Sequence, residues 1–199
     1  MMNEYLPQVK EHRHAGHEID PVFLNRWSPR SYKSDSIPDE VLNSIFEAAR
    51  WAPSASNEQP WRFIVARTEE DKALFYPFIA DGNRIWCEKA PVLVLIASQT
   101  IGSHGTHNRV HAFDAGAAWG YLALEATRQG LVTHAMGGFD PEKAREVLGI
   151  PEDYEAHAVI AIGYQGEKEA LSEAMQEREK PSSRRELSET VFEGVFAKK

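Results

Sequence analysis

The stretch FDAGAAWGYLALEATRQ, residues 113–129, decides the fold more than any other part of the chain. Its apolar residues recur at every turn of a helix and leave little polar surface, so we expect a helix that is buried nearly all round. Ala112, Gly116 and Gly120 lie four residues apart and form one ridge of small side chains, along which another helix can approach closely. The helix therefore belongs either in a dimer interface or at the centre of a monomer.

Helix and strand signals follow one another irregularly on both sides of this stretch. A helix is predicted to begin after Ser36, as its N-cap, and to end at Pro53. Strands are predicted at 61–66, 92–96 and 157–163, and the second is apolar at every position, which predicts cover on both of its faces. Mixed helices and strands without regular βαβ alternation indicate an α+β domain of three layers.

The composition is typical of a globular chain of about one domain. The chain has 199 residues and a net charge of −8, with no dense block of lysine and arginine, so nucleic-acid binding is not expected. The apolar run at 91–97 is shorter than the roughly 18 to 20 residues of a membrane span. The polar segment 1–18 lacks the apolar centre of a secretory signal. The lone Cys87 suits a reducing compartment, so we expect a cytoplasmic protein without membrane partners.

Two parts of the chain differ from the central domain. Residues 1–22 are expected to form a loosely held N-terminal arm, ahead of a domain that covers 23–199. Within that domain, the segment 165–199 is charged and has no clear core of its own. Its few apolar residues, which something outside the segment must cover, are Leu187, Val191, Phe192, Val195 and Phe196.

The first candidate binding segment is Arg26-Trp27-Ser28-Pro29-Arg30. Ser28 precedes a proline and is therefore pushed away from helical geometry. Alternate residues of an extended chain point to one side, so Arg26, Ser28 and Arg30 would present two guanidinium groups and a hydroxyl to one place. Arginine binds phosphate with two parallel hydrogen bonds. Taken alone, however, the segment is better explained as a solvated basic stretch.

The second candidate segment is APSASNEQPW, residues 52–61. A helix ends at Pro53, and short polar side chains follow before a strand begins at Trp61. Serine, asparagine and glutamine offer donors and acceptors that suit a heterocycle or a ribityl chain. The alternative is an ordinary loop between a helix and a strand, because the same residue types favour turns.

Other signatures are absent or weak. The sequence has no glycine-rich dinucleotide motif, no Walker A loop and no nucleophile elbow, and Cys87 is expected to be structural. His104, His107 and His111 have a spacing that occurs in metal sites, which makes a histidine-based metal protein an alternative. Gly102 and Gly105 instead predict a loop there, and no residue is assigned as a metal ligand.

The two candidate segments, R-x-S-x-R at 26–30 and A-P-S-x-x-N-x-Q-P-W at 52–61, together closely resemble the nitroreductase family of flavoproteins. The resemblance runs in order from about residue 24 to the end of the chain, which makes it far more specific than either motif alone. Its further matching elements are Asn83 and Trp86 ahead of Ala90-Pro91, Asp114-Ala115-Gly116, Gly130-Leu131, Met136-Gly137-Gly138-Phe139-Asp140 and Ser183-Arg184-Arg185-Glu186-Leu187.

The resemblance implies a three-layer nitroreductase-like fold, with a central, mainly antiparallel sheet flanked by helices. It also implies an intertwined homodimer with two FMN sites in its interface, in which the segment 165–199 extends over the partner subunit. Such enzymes carry electrons from NAD(P)H to small flat acceptors, such as nitroaromatics or quinones, in a ping-pong cycle. A non-catalytic flavin-binding protein on the same fold, or a flavin enzyme that dehydrogenates or fragments another substrate, are alternatives.

The resemblance also assigns roles to individual residues. Arg26, Ser28 and Arg30 would hold the FMN phosphate and ribityl chain, and Arg184 would close on the phosphate. Trp27 is expected beside the arginines, and Asn83 at the pyrimidine edge of the flavin. The other subunit would supply the residues along the flavin ring, which are Pro53, Ser54, Ala55, Ser56 and Asn57. The backbone of Met136, Gly137 and Gly138 would approach the flavin. No side chain is assigned a catalytic role, because the flavin carries the hydride chemistry.

Two positions depart from the family pattern. Ser182 stands where the family often has lysine, and Trp86 stands where some members have lysine. We therefore expect fewer cations beside the cofactor and a weaker hold on the phosphate. Trp86 would form either a wall of the substrate pocket or part of the core. The sequence does not choose between NADH and NADPH.

Overall fold

Four strands of the computed structural model, which describes residues 4–196, form an antiparallel sheet. The strands are β1 (Trp61–Ala66), β2 (Val92–Gln99), β3 (Val132–Met136) and β4 (Tyr154–Gly163). Their order across the sheet is β1-β2-β4-β3, and every neighbouring pair is antiparallel. The three predicted strands are confirmed, and β2 and β4 extend further than their apolar runs because they pair with each other up to Gln99 and Tyr154.

Eight α-helices occur among residues 4–196. They are α1 (Pro7–Lys10), α2 (Val22–Asn25), α3 (Asp39–Arg50), α4 (Glu69–Phe75), α5 (Asp81–Cys87), α6 (His111–Arg128), α7 (Pro141–Leu148) and α8 (Glu173–Gln176). Short 3₁₀ turns lie at Ala55–Asn57, Tyr76–Phe78, Lys168–Ala170 and Leu187–Glu189. No helix in this described part of the chain is both long and apolar enough to cross a membrane.

The two faces of β2 pack against different helices. Leu93 and Leu95 belong to a core that contains Trp86 of α5 and residues of α4 and α7. Val94 and its alternating neighbours belong to a second core with Leu122 of α6 and residues of α3. Successive strand residues point to opposite faces, so an apolar strand can supply both cores. The predicted α+β class, with an antiparallel sheet between two helical layers, is confirmed.

The helix ends agree only partly with the sequence. Helix α3 begins at Asp39 with Pro38 at the N-cap position and no side-chain cap, so the expected cap by Ser36 is wrong. The acidic side chains of Asp39 and Glu40 lie in the first turn, where negative charge is favourable. By contrast, an aspartate followed by a proline is typical of a helix start, and Asp140 before Pro141 acts in this way: its side chain accepts a hydrogen bond from the backbone N–H of Lys143 and caps α7.

Helix α6 is buried on one side only within the chain. Ala118 and Leu122 are fully buried, whereas Phe113 is 79% exposed and Tyr121 is 44% exposed. A Cβ atom added at Gly116 or Gly120 would meet nothing within 4 Å. Burial nearly all round is therefore wrong for a single chain, because the ridge of small residues faces away from the sheet.

The N-terminal arm is held more firmly than its polar composition predicts. Val9 of α1 is fully buried. The backbone N–H of Leu6 donates to Asn25 Oδ1 at 2.9 Å, and Arg13 Nη1 donates to the carbonyl of Leu24 at 2.6 Å. Residues 1–3 of the arm and residues 197–199 of the C-terminal segment lie outside the described residues.

Shortening Leu95 to alanine tests the two-sided core. Leu95→Ala should lower the free energy of unfolding by about 2–5 kcal/mol, because Leu95 is fully buried in the central strand. Leu74→Ala is the matched control, since Leu74 is 49% exposed, and should change stability by about 0.5 kcal/mol or less. Urea denaturation followed by circular dichroism measures both. Equal effects of the two substitutions would contradict the assigned burial of β2.

Candidate cofactor site

Basic residues from three separate parts of the chain surround one cavity of about 320 Å³. None of the residues that line this cavity is acidic. The basic ones are Arg13, Arg26, Arg30, Arg178, Lys180 and Arg184, and the remaining ones are Trp27, Ser28, His134 and Ser182. In a chain with a net charge of −8, this concentration of positive charge is an environment that favours an anion. We call it the cationic cavity.

The segment 26–30 reaches the cationic cavity in the manner its alternation predicts. Arg26, Ser28 and Arg30 all line the cavity, and Arg26 Nη1 donates to Ser28 Oγ at 3.3 Å. Arg184, which is more than 150 positions away in the sequence, lines the same cavity. The structure thus brings together the four residues that the resemblance assigns to the phosphate.

The backbone of the C-terminal segment passes close to residues 31 and 32, and this contact brings the segment to the cationic cavity. Tyr32 and Gln165 form an antiparallel bridge, and the N–H of Gly166 donates to the carbonyl of Ser31 at 3.0 Å. A Cβ atom on Gly166 would lie 2.8 Å from the carbonyl carbon of Tyr32. Only glycine therefore allows this contact.

Glu179 forms a second contact between the C-terminal segment and the segment that carries Arg30. Its Oε1 accepts hydrogen bonds from the backbone N–H of Arg30 at 2.7 Å and of Ser31 at 3.0 Å, and its Oε2 lies 3.9 Å from Arg30 Nη1. The carboxylate is buried, and a buried carboxylate requires such partners. As a result, the flanking Arg178 and Lys180 reach the cationic cavity.

Burial and mutual repulsion lower the pKa values of two guanidinium groups of the cavity. Burial, followed by the charges of Arg184 and Arg26, lowers the pKa of Arg13 to about 10. Burial and the charge of Arg184 also lower the pKa of Arg26. These groups stay protonated at neutral pH, so an anion among them would relieve their repulsion.

His134 is a wall residue that the sequence did not indicate. Its ring lies 4.6 Å from the Trp86 ring, and its Nδ1 hydrogen-bonds the carbonyl of Pro29 at 3.0 Å. Burial lowers the pKa of His134 to about 4, and the charges of Arg30 and Arg26 act in the same direction. The ring is therefore neutral at pH 7, with its proton on Nδ1, because a carbonyl can only accept.

The cationic cavity contains more cations than the sequence motifs indicated. Ser182 does line the cavity, but Arg13, Arg178 and Lys180 contribute three cations that no motif had indicated. Trp86 is 2% exposed, stacks on Tyr32 at 6.3 Å between ring centroids and does not line the cationic cavity. Trp86 is therefore part of the core, which is one of the two roles predicted for it.

The loop 53–57 lies away from the cationic cavity of its own chain. Three non-glycine residues in or beside it, Ser56, Asn57 and Gln59, have positive φ angles of 50°, 57° and 47°. Such strained conformations cluster at binding sites. The N–H of Ala55 donates to Asp114 Oδ2 at 3.1 Å, which fixes the loop against the start of α6.

Asn83 and the glycines after β3 meet at another place in the structure. Asn83 Nδ2 donates to the carbonyl of Gly138 at 3.2 Å, and a Cβ atom on Gly138 would lie 2.6 Å from that nitrogen. Gly138 therefore admits the Asn83 side chain, whereas Gly137 is open to solvent and Met136 is buried. None of these residues lines the cationic cavity.

Of the three histidines in the metal-protein alternative, His111 has another partner. His111 Nδ1 lies 2.7 Å from Ser98 Oγ, which is also 2.5 Å from His157 Nε2. His104 and His107 lie in the loop before α6, as the glycines there predict. Within residues 4–196, no group of three or more histidine, cysteine or acidic side chains is arranged to hold a metal ion.

Comparison with known proteins gives a consistent set of relatives. A curated "NADH dehydrogenase" of Thermus thermophilus is 32% identical over 177 residues, which cover 73% of this chain and 85% of the relative. A crystal structure described as an oxidoreductase containing FMN superposes with a TM-score of 0.90 at 42% identity, and covers 94% of this chain and 97% of its own.

A more distant structure is described as CLA-ER, an enone reductase of gut-bacterial fatty acid saturation. It has a TM-score of 0.67 at 26% identity, and the match covers 73% of this chain and 88% of that one. The model of the nitroreductase family matches residues 24–86 and 80–164, which is more than half of the chain. The chain therefore belongs to the nitroreductase family and has a nitroreductase-like fold.

Proposed function

We propose that this oxidoreductase of the nitroreductase family binds FMN with its phosphate in the cationic cavity. With FMN it would carry electrons from NADH or NADPH to a small flat acceptor such as a nitroaromatic or a quinone. The observation that carries this proposal is the convergence of Arg26, Arg30 and Arg184 on one cavity without an acidic residue. The names of the relatives, an NADH dehydrogenase and an oxidoreductase containing FMN, support the class of reaction.

The side chains of the cationic cavity fit a phosphate monoester. Such a group carries about −1.5 to −2 charges at pH 7 and three acceptor oxygens. Arginine matches it with two parallel hydrogen bonds, and Ser28 adds a hydroxyl donor. Trp27 also lines the cavity, and its buried Nε1–H has no acceptor among residues 4–196. A polar ligand would satisfy this donor.

Bound FMN would supply the hydride chemistry that links the nicotinamide to the acceptor. The protein's own residues bind and orient. Arg26 and Arg184 would hold the phosphate from opposite ends of the chain, and Glu179 keeps Arg30 in place. No side chain is assigned a proton-transfer role.

We further infer a homodimer, in which the loop 53–57 of one chain completes the site of the other. Three surfaces support this inference. The loop does not line the cationic cavity of its own chain. The α6 ridge at Gly116 and Gly120 is open. Val195 and Phe196 in the C-terminal segment are about 80% exposed, which is unusual for large apolar side chains without a partner. Sedimentation equilibrium that finds a single chain with bound flavin would contradict the dimer.

Removing either of two arginines that are distant in sequence should release the cofactor. Arg26→Ala and Arg184→Ala should each weaken FMN binding about 10- to 100-fold, because each loses a hydrogen bond to a charged group. Both variants should stay folded by circular dichroism. Arg50→Ala is the control, since Arg50 pairs with Glu47 on the surface. Full FMN retention by both cavity variants would exclude this phosphate site.

The absorbance spectrum of the purified protein tests the redox function. The protein should be yellow, and NADH or NADPH added without oxygen should bleach the flavin absorbance, which a quinone should then restore. NAD⁺ is the control and should leave the spectrum unchanged. Yellow protein that neither nicotinamide bleaches would instead be a flavin-binding protein without this activity.

A further inference from the structure

Arg13 joins three parts of the cationic cavity, although it precedes the residues matched to the family, which begin at residue 24. Its Nη1 donates to the carbonyls of Leu24 at 2.6 Å and Arg26 at 2.7 Å. Its Nε donates to the carbonyl of Ser182 at 2.9 Å. One guanidinium group therefore connects the N-terminal arm to both segments that carry the phosphate-binding arginines.

The contact with Ser182 places Arg13 close to Arg184. Arg184 Nη1 donates to Ser182 Oγ at 3.2 Å and lies 3.4 Å from the Ser182 carbonyl to which Arg13 also donates. Both guanidinium groups line the cationic cavity. Arg13 therefore fixes the backbone from which Arg184 extends.

The charge of Arg13 has no counterion in the described chain. All of its hydrogen bonds go to neutral backbone carbonyls, and no carboxylate of residues 4–196 forms an ion pair with it. Its charged neighbours are Arg26 and Arg184, which repel it. A partly buried cation in this setting is stabilised by an anion that shares the cavity.

We propose that Arg13 is a phosphate-positioning residue of the cofactor site. It acts by its charge and by holding the backbone beside Arg26 and Arg184 in place. This inference rests on the proposed function. It assigns the N-terminal arm a role in selecting a phosphorylated flavin over the same flavin without phosphate. A residue that only held the arm in place would affect both flavins equally.

The arm does not depend on Arg13 alone for its position. Val9 is fully buried, and Asn25 bonds to the backbone of Leu6 and, through Nδ2, to the carbonyl of Glu4. A substitution at residue 13 therefore leaves other attachments intact. We expect Arg13 variants to fold.

The test compares FMN with riboflavin, which lacks the phosphate, on protein stripped of flavin. Dissociation constants come from quenching of flavin fluorescence. Arg13→Gln should weaken FMN binding about 10- to 100-fold and leave riboflavin binding unchanged. Arg13→Lys keeps the charge and should recover most of the preference for FMN. Lys10→Gln removes the same charge from the same arm outside the cationic cavity and should leave both constants unchanged.

Three results separate this inference from the proposed function. Equal weakening of FMN and riboflavin in Arg13→Gln, or no weakening of FMN, overturns the role of Arg13. If Arg13→Gln does not fold, Arg13→Met removes the charge with a side chain of similar length. The ratio of its FMN and riboflavin dissociation constants then decides the question. Wild-type protein that binds FMN no better than riboflavin would instead overturn the phosphate site itself.

Discussion

The proposed site depends on one constraint, which is that the fold brings guanidinium groups from both ends of the chain into a single partly buried cavity. Concentrating like charges in a partly buried cavity costs free energy unless another group compensates them. Here burial is the main cause of the lowered pKa values of Arg13 and Arg26, and the charges of neighbouring arginines lower them further. The Arg13 guanidinium donates to backbone carbonyls, and Arg30 Nη1 lies 3.9 Å from Oε2 of the buried Glu179 carboxylate, so the protein compensates part of the cluster.

The sheet provides the rigid frame for this arrangement. Strand β4 pairs with both β2 and β3, and β3 carries His134 to the wall of the cavity. Just beyond β4, Gly166 passes so close to Tyr32 that a side chain would not fit. The segment that follows Arg30 and the segment that begins at Gln165 therefore meet at the end of β4.

Much of the fold could be predicted from the sequence, for reasons visible in particular elements. The run at 92–96 is apolar at every position, and only a strand covered on both faces accounts for that pattern. Asp140 followed by Pro141 marked a helix start that local backbone chemistry determines. Ser36 failed as a cap because Pro38 already fixes the geometry of the helix start. The burial of α6 was overestimated, since a sequence pattern does not distinguish a core face from a face left for a partner.

The candidate site was only partly predictable. Arg26, Ser28 and Arg30 share a short motif, so alternation along an extended chain placed them together. Arg13, Arg178 and Lys180 belong to no motif, and they reach the cavity through long-range contacts that only the folded chain shows. His134 also belongs to no motif. It lines the cavity because its position in β3 places it beside Trp86 and Pro29.

A crystal structure of the protein soaked or co-crystallised with FMN tests the central claim most directly. The account predicts the phosphate in the cationic cavity, within hydrogen-bonding distance of the guanidinium groups of Arg26 and Arg184 from one chain. It also predicts the loop 53–57 of a second chain beside the flavin ring. A phosphate bound elsewhere, with both arginines directed to other partners, would contradict the account.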